Sequence, residues 1–397
     1  MLPLLFASFL ISTASYAQKS KSTLEREKKA NLRKIEEAEK ILVETESEKK
    51  ATLGQLQALN HQIKVRTDLI NAISQEINLL NEEISDKSLV VNALQQDLVQ
   101  LKEEYAEMIY GAYKANRGFN KLTFIFSAKT FNQLFLRLKY LEQYSQARQV
   151  QVENIEEVSA ALIAERSDLE TKKSEQSELL NNKVQENKNL LSVKSKQNKV
   201  FAQLSKREKE LKQELADRKD AIFRLDKLIA DIVKKEIEKS NEGKASNKMA
   251  LTGEAAALSS SFEGNKNKLP WPVESGFISG KFGKHPHPVL KNILVENQGI
   301  DIQTEKQASV RAVFDGQVST VAFVPGMNTV VIVQHGDYFT LYAKLKSIND
   351  NIKKGYTLKA KEPIGEAFTD NSDNTEVHFE VWKNFDKLNP ARCLYSK

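Results

Sequence analysis

Three short stretches near the C-terminus concentrate the side chains that can do chemistry: Asn297-Gln298-Gly299-Ile300-Asp301, Tyr342-Ala343-Lys344-Leu345 and Glu376-Val377-His378-Phe379-Glu380. Hydrolysis at zinc needs three protein ligands and an open position for water, which the metal acidifies. Asp301 and His378 are good ligands of that kind. Asn297 offers a neutral amide, a poor zinc ligand, and Lys344 brings a cation that repels a metal. Glu376 can ligate or act as a base, so it alone settles nothing. The charges suggest another use, in which Lys344 pairs with Asp301 or Glu376. Two of the five histidines, His285 and His287, stand in a proline-rich loop, which is a weak metal signal and reads equally as surface. The single cysteine, Cys393, excludes an intrachain disulfide and a Cys-based zinc cluster.

The elements that must position these residues follow from composition. No proline occurs between Pro3 and Pro270, and only Gly54, Gly111 and Gly118 are glycines between 18 and 241. Proline breaks helices and glycine weakens them, so this part is long helix. Leu56, Leu59, Ile63, Ile70, Ile73, Ile77, Leu80, Ile84, Val91, Leu94, Leu98 and Leu101 form a heptad seam, interrupted by Arg66 and Lys87. A second seam runs from Ile155 through Leu162, Leu179, Leu204 and Leu211 to Ile232. The two predict an antiparallel coiled-coil hairpin over 18–240, with its tip at about 111–145. The tip carries Phe119, Phe124, Phe126, Phe131 and Phe135, which read either as a small local core or as an exposed docking patch. Over 222–237 the apolar stripe widens through Ile222, Leu225, Ile229 and Ile232. A wide stripe suits a helix packed on a globular surface, although it can also continue the second arm. Glycines and Ser259-Ser260-Ser261 predict a flexible linker over 241–268, and short β-type runs with turn signals predict a mostly-β domain over 269–397. Leu2 to Ile11 is apolar and leads to Ser15-Tyr16-Ala17, which predicts a signal peptide over 1–17 and export without a lipid anchor. A net charge of +6 with 28 % charged residues is too mild for a nucleic-acid binder.

The three site stretches resemble those of lysostaphin-type (LytM) zinc peptidases, which have His-x-Gly-x-Asp, Tyr-Ala-His-Leu and His-x-His at the corresponding places. The resemblance puts Asn297, Asp301 and His378 at the ligand positions, and Lys344 and Glu376 at those of the two assisting histidines. With these replacements it implies no metal, no cofactor and no catalytic residue. The whole layout is similar to the EnvC-like murein hydrolase activators. That similarity implies a non-enzymatic periplasmic protein of cell division, multidomain, with a coiled-coil hairpin followed by a LytM-like domain. In such proteins the coiled coil docks on a membrane FtsE–FtsX complex, and the groove around Asn297, Asp301, Lys344, Glu376 and His378 engages a cell-wall (N-acetylmuramoyl-L-alanine) amidase. A helix covers the groove until docking moves it, and 222–237 is the candidate here; peptidoglycan is a further partner. Two alternatives stay open: an active zinc endopeptidase using Asp301, His378 and Glu376, and a coiled-coil scaffold with a glycan-binding domain.

Overall fold

The computed structural model describes residues 21–45, 51–116, 125–241, 248–251 and 253–396. The expected signal peptide, and Phe119 and Phe124 of the expected tip, lie outside them. The chain divides into two units, one from Met1–Leu24 and Asn71–Gln185, the other from Glu25–Ile70 and Glu186–Lys397. The helices are α1 (Lys21–Thr45), α2 (Leu53–Asn116), α3 (Phe131–Ser205), α4 (Glu208–Ser240) and α5 (Gly253–Gly264). No helix among the described residues is long and apolar enough to cross a membrane.

In the first unit, residues 71–116 of α2 run antiparallel to residues 131–185 of α3. Cross-helix pairs give the direction: Asn81 with Gln176, Glu83 with Lys172, Lys87 with Glu165, and Met108 with Tyr144, one index rising as the other falls. Ala72, Ile73, Ile77, Leu80, Val91, Leu162 and Leu179 are buried along this pair. Lys87 interrupts the seam and spans it, reaching Glu165 at 2.9 Å and Asp168 at 2.7 Å. Phe126, Phe131 and Phe135 are 78 %, 82 % and 58 % exposed.

The second unit holds the β domain and the helices packed on it. Its strands are β1 (Phe277–Gly280), β2 (Gly283–Pro286), β3 (Leu294–Asn297), β4 (Ile300–Gln303), β5 (Ser309–Arg311), β6 (Gly316–Val324), β7 (Asn328–His335), β8 (Tyr338–Ile348), β9 (Thr357–Leu358), β10 (Pro363–Ala367), β11 (Glu376–Lys383) and β12 (Asp386–Leu388). The main antiparallel sheet has the order β1-β4-β11-β8-β7-β6-β9, and β2 pairs with β3 separately. Side chains alternate along each strand, so the sheet has two faces. Val377, Phe379 and Val381 of β11 enter one core with Ile300, Ile302 and Tyr342. On the opposite face Trp382, Leu341, Phe339, Ile332 and Val330 meet Ile222, Leu225, Ile229, Ile232, Val233 and Ile237 of α4. This is why the stripe widens at 222: the helix leaves a narrow seam for a broad sheet.

Three expectations are corrected. The first arm contains a second helix start, because residues 51–52 are not helical and α2 begins at Leu53. Thr52 and Gln55 form a reciprocal capping box, with Gln55 N donating to Thr52 Oγ1 at 3.1 Å and Thr52 N to Gln55 Oε1 at 3.3 Å, so a new helix starts there. The second arm is interrupted between Ser205 and Glu208, where the N–H groups of Lys206 and Arg207 bond three residues back. The stretch 241–268 contains α5, whose Phe262 enters the β-domain core and stacks on Tyr338 and His335 at ring distances of 4.7 and 5.1 Å. Burying that one ring outweighs the weak helix propensity of the glycines and serines around it. Phe262→Ala is expected to destabilise the β domain by about 3–5 kcal/mol, read from chemical denaturation followed by tryptophan fluorescence.

Candidate functional site

The site grows from β4, a strand buried on both faces between β1 and β11. Register places Asp301 opposite Gly280 on one side and His378 on the other. A Cβ at Gly280 would fall on the Asp301 carboxylate, so that position has room only for glycine. Alternation along β11 then sets Glu376, His378, Glu380 and Trp382 on the face that α4 covers. Lys344 reaches the same face by a backbone irregularity. Its φ is 62°, in the left-handed region, which costs a non-glycine residue about 1–2 kcal/mol. The flip breaks the alternation, since Ala343 faces α4 while Leu345 joins the opposite core.

These elements bring Asn297, Asp301, Lys344, Glu376 and His378 into one hydrogen-bonded cluster. Asn297 Nδ2 donates to Asp301 Oδ2 at 2.8 Å, while its Oδ1 accepts from Gly299 N at 3.2 Å. Lys344 Nζ donates to Asp301 Oδ1 at 3.4 Å and to Glu376 Oε2. Glu376 Oε1 accepts from Ser279 Oγ at 2.6 Å. His378 Nδ1 donates to Asp301 Oδ1 at 3.0 Å and Nε2 to Glu380 Oε1 at 2.8 Å; Glu380 Oε2 accepts from the Trp382 indole at 2.5 Å.

One member was not among the sequence candidates. Arg218, in α4, donates through a terminal guanidinium nitrogen to Asp301 Oδ2. The sequence did carry a signal: Arg218 stands seven residues after Leu211, three after Leu215 and four before Ile222, inside an otherwise apolar stripe. Ile222, Leu225, Ile229 and Ile232 lie further along α4 against the sheet, so the residue that meets Asp301 comes one turn before them. Glu380 closes the third stretch without an assigned role, and Trp382 lies two residues beyond it, outside the sequence candidates.

Burial works against the charge on Asp301, but Arg218, then Lys344 and His378, outweigh it and hold the carboxyl well below its usual range. Burial also opposes a charged His378, yet hydrogen bonds to Asp301 and Glu380 raise it to about 9, so the ring is an imidazolium at neutral pH. The formal charges then cancel: Asp301, Glu376 and Glu380 against Arg218, Lys344 and His378.

Beside the cluster lies a cleft of about 1380 Å³, reached by His61, Arg218, Phe277, His285, His287 and Asp301. His285 Nδ1 bonds Gly283 O at 3.1 Å, and His287 Nδ1 accepts from Val289 N and Leu290 N at 3.1 and 2.9 Å, so both rings serve their own loop. His61 of α2 stacks on Phe277 of β1 with ring centroids 4.3 Å apart. Among the described residues, no group of three or more His, Cys, Asp or Glu side chains is disposed to hold a metal ion.

Residues 295–390 match peptidase family M23, so the chain carries an M23, LytM-type domain. A comparison with curated proteins finds no match. Among solved structures, Helicobacter pylori Csd3 is 27% identical over 32% of this chain and 35% of that one, with a TM-score of 0.29. A zinc-containing peptidase from Vibrio cholerae is 27% identical over 31% of this chain and 39% of that one, with a TM-score of 0.27. The catalytic domain of the prophage-encoded M23 protein EnpA from Enterococcus faecalis is 23% identical over 31% of this chain and 95% of that domain, with a TM-score of 0.27. The match therefore spans little more than a third of Csd3 and of the Vibrio peptidase.

Asp301→Asn removes the negative charge shared by Arg218, Lys344 and His378, and is expected to cost about 3–5 kcal/mol in denaturant unfolding, because Arg218 loses its ion partner while Lys344 and His378 keep Glu376 and Glu380. His61 and His335 titrate differently from His378. Burial pushes both down to about 4, which leaves them neutral in the folded chain. Their stabilising contribution is complete above the unfolded value of about 6.5 and is lost as pH falls from there to about 4, at up to roughly 1.4 kcal/mol per pH unit for each. His61→Phe keeps a ring on Phe277 and is expected to flatten that part of the stability–pH curve measured by chemical denaturation.

Proposed function

We propose that this chain is a non-catalytic activator of cell-wall amidases, acting outside the cytoplasm in cell division, with its β-domain groove as the amidase-binding surface. The observation that carries the reading is that both oxygens of Asp301 are taken by nitrogens of the chain itself. This donor set does not fit a zinc ion, which needs lone pairs converging on one point. Asn297 turns its NH2 toward Asp301 and spends its carbonyl oxygen on Gly299. His378 has a carboxylate on each ring nitrogen. Glu376, the third ligand that a zinc endopeptidase would require, is held by Lys344 and Ser279. These contacts favour the activator reading over the lytic alternative.

The rest of the site suits a protein-binding surface under a cover. With α4 lifted, Phe339, Leu341 and Trp382 would form an apolar patch beside the charged cluster, and such patches mark partner sites. Docking of the helical part on a membrane FtsE–FtsX complex is the event proposed to lift it. The exposed Phe126, Phe131 and Phe135 are the surface offered for that docking. Converting a cover that is closed 99 times in 100 into one that is open as often requires docking to favour the open state by about 5.5 kcal/mol.

Weakening the cover by other means is then expected to replace the membrane complex. The double substitution Leu225→Ala and Ile229→Ala removes two fully packed side chains from the helix–sheet contact, at about 2–5 kcal/mol each. The full chain so altered is expected to stimulate a cognate amidase several-fold over the unaltered chain, measured as dye release from labelled sacculi. No stimulation by a chain with unchanged helical circular dichroism would contradict the reading. A truncation meant to expose the groove has to retain α5, because Phe262 belongs to the β-domain core.

A further inference from the structure

Resting on the activator reading, we infer that Asp301 is a socket for a basic side chain, and that the amidase segment filling it brings an arginine with apolar neighbours in place of Arg218. The two carboxylate oxygens are unevenly served. Asp301 Oδ1 receives His378 at 3.0 Å and Lys344 at 3.4 Å, both from the β domain. Oδ2 receives Asn297, a neutral amide at 2.8 Å, and Arg218 from the covering helix. When α4 leaves, Oδ2 keeps only the amide, and a carboxylate that is 0 % exposed as a residue loses its one cation on that side. A buried charge whose partner is removed is strongly disfavoured, so an occupant without a cation is penalised and one with a cation is selected.

Two further features favour exchange. Arg218 grips Asp301 through a terminal nitrogen, while its buried Nε has no hydrogen-bond partner among the described residues. A guanidinium binds a carboxylate best through two parallel N–H groups, so a better-placed competitor gains a hydrogen bond that the resident lacks. The cleft beside the cluster is lined by Asp301 and Arg218, and its walls also include Trp271, Phe277 and Ile278. Those walls suit apolar residues on either side of an incoming arginine. The resident arm has the same make-up, with Leu211 and Leu215 before Arg218 and Ile222 and Leu225 after it.

The test uses the full chain carrying Arg218→Gln, which leaves Oδ2 with the Asn297 amide and without its arginine. A fluorescent peptide copying residues 208–226 is titrated against it by anisotropy, beside the same peptide carrying Arg218→Gln. The unaltered peptide is expected to bind about tenfold tighter or better. Adding Asp301→Asn to the chain is expected to erase that difference. Equal binding of the two peptides overturns the socket by itself, whether or not Asp301→Asn folds. A purified cell-wall amidase is expected to displace the arginine peptide. If soluble peptidoglycan fragments displace it and the amidase does not, the socket belongs to an amine of the wall peptide and the inference about a protein arginine fails. If the amidase displaces the peptide but is never stimulated, the socket stands and only the activator reading is lost.

Discussion

Burying a carboxylate without compensation costs several kcal/mol, and the region around Asp301 is arranged to meet that constraint. Its strand lies between two others and all four of its residues are buried. Gly280 makes room for it, Asn297 and His378 donate to it, and Lys344 accepts a left-handed backbone to face it. Arg218 supplies the last cation from a helix that lies far away in the chain but belongs to the same unit. The cover over the sheet is thus fixed by two different forces. An apolar stripe from Ile222 to Ile237 gives area, and one guanidinium gives register.

The same constraint links stability to function on the reading proposed above. A site neutral only with its cover in place favours the covered state until something else supplies the missing charge. Apolar contact alone would let any hydrophobic segment displace the arm; an ionic requirement at its centre narrows the choice. Lys344 and His378 then act as fixed counter-charges that hold the groove ready for a partner.

Much of this was legible in the sequence, and the remainder has physical reasons for hiding. Proline-free, glycine-poor helix and short β runs were plain from composition, and the three site stretches brought Asp301, Lys344, Glu376 and His378 to notice together. The pairing of Lys344 with the carboxylates followed from charge. Its left-handed backbone did not, because lysine gives no local signal for it. Arg218 does not stand out in the sequence because a cation in a helical stripe usually points to solvent, and only the fold shows which strand the stripe meets. The Thr52–Gln55 capping box was present in the sequence as a helix start, but heptad spacing on either side masked the break. Phe262 was the sole large aromatic ring in a stretch rich in glycine and serine, and a single buried ring was enough to anchor α5.

On the proposed reading, the chain's own nitrogens stand at Asp301 where the peptidases it resembles place a metal. Isothermal titration of zinc into the full chain, with metal content determined before and after dialysis, tests this most directly. The account predicts no stoichiometric site and no heat lost on Asp301→Asn substitution. One tightly held zinc per chain, abolished by Asp301→Asn, would contradict it.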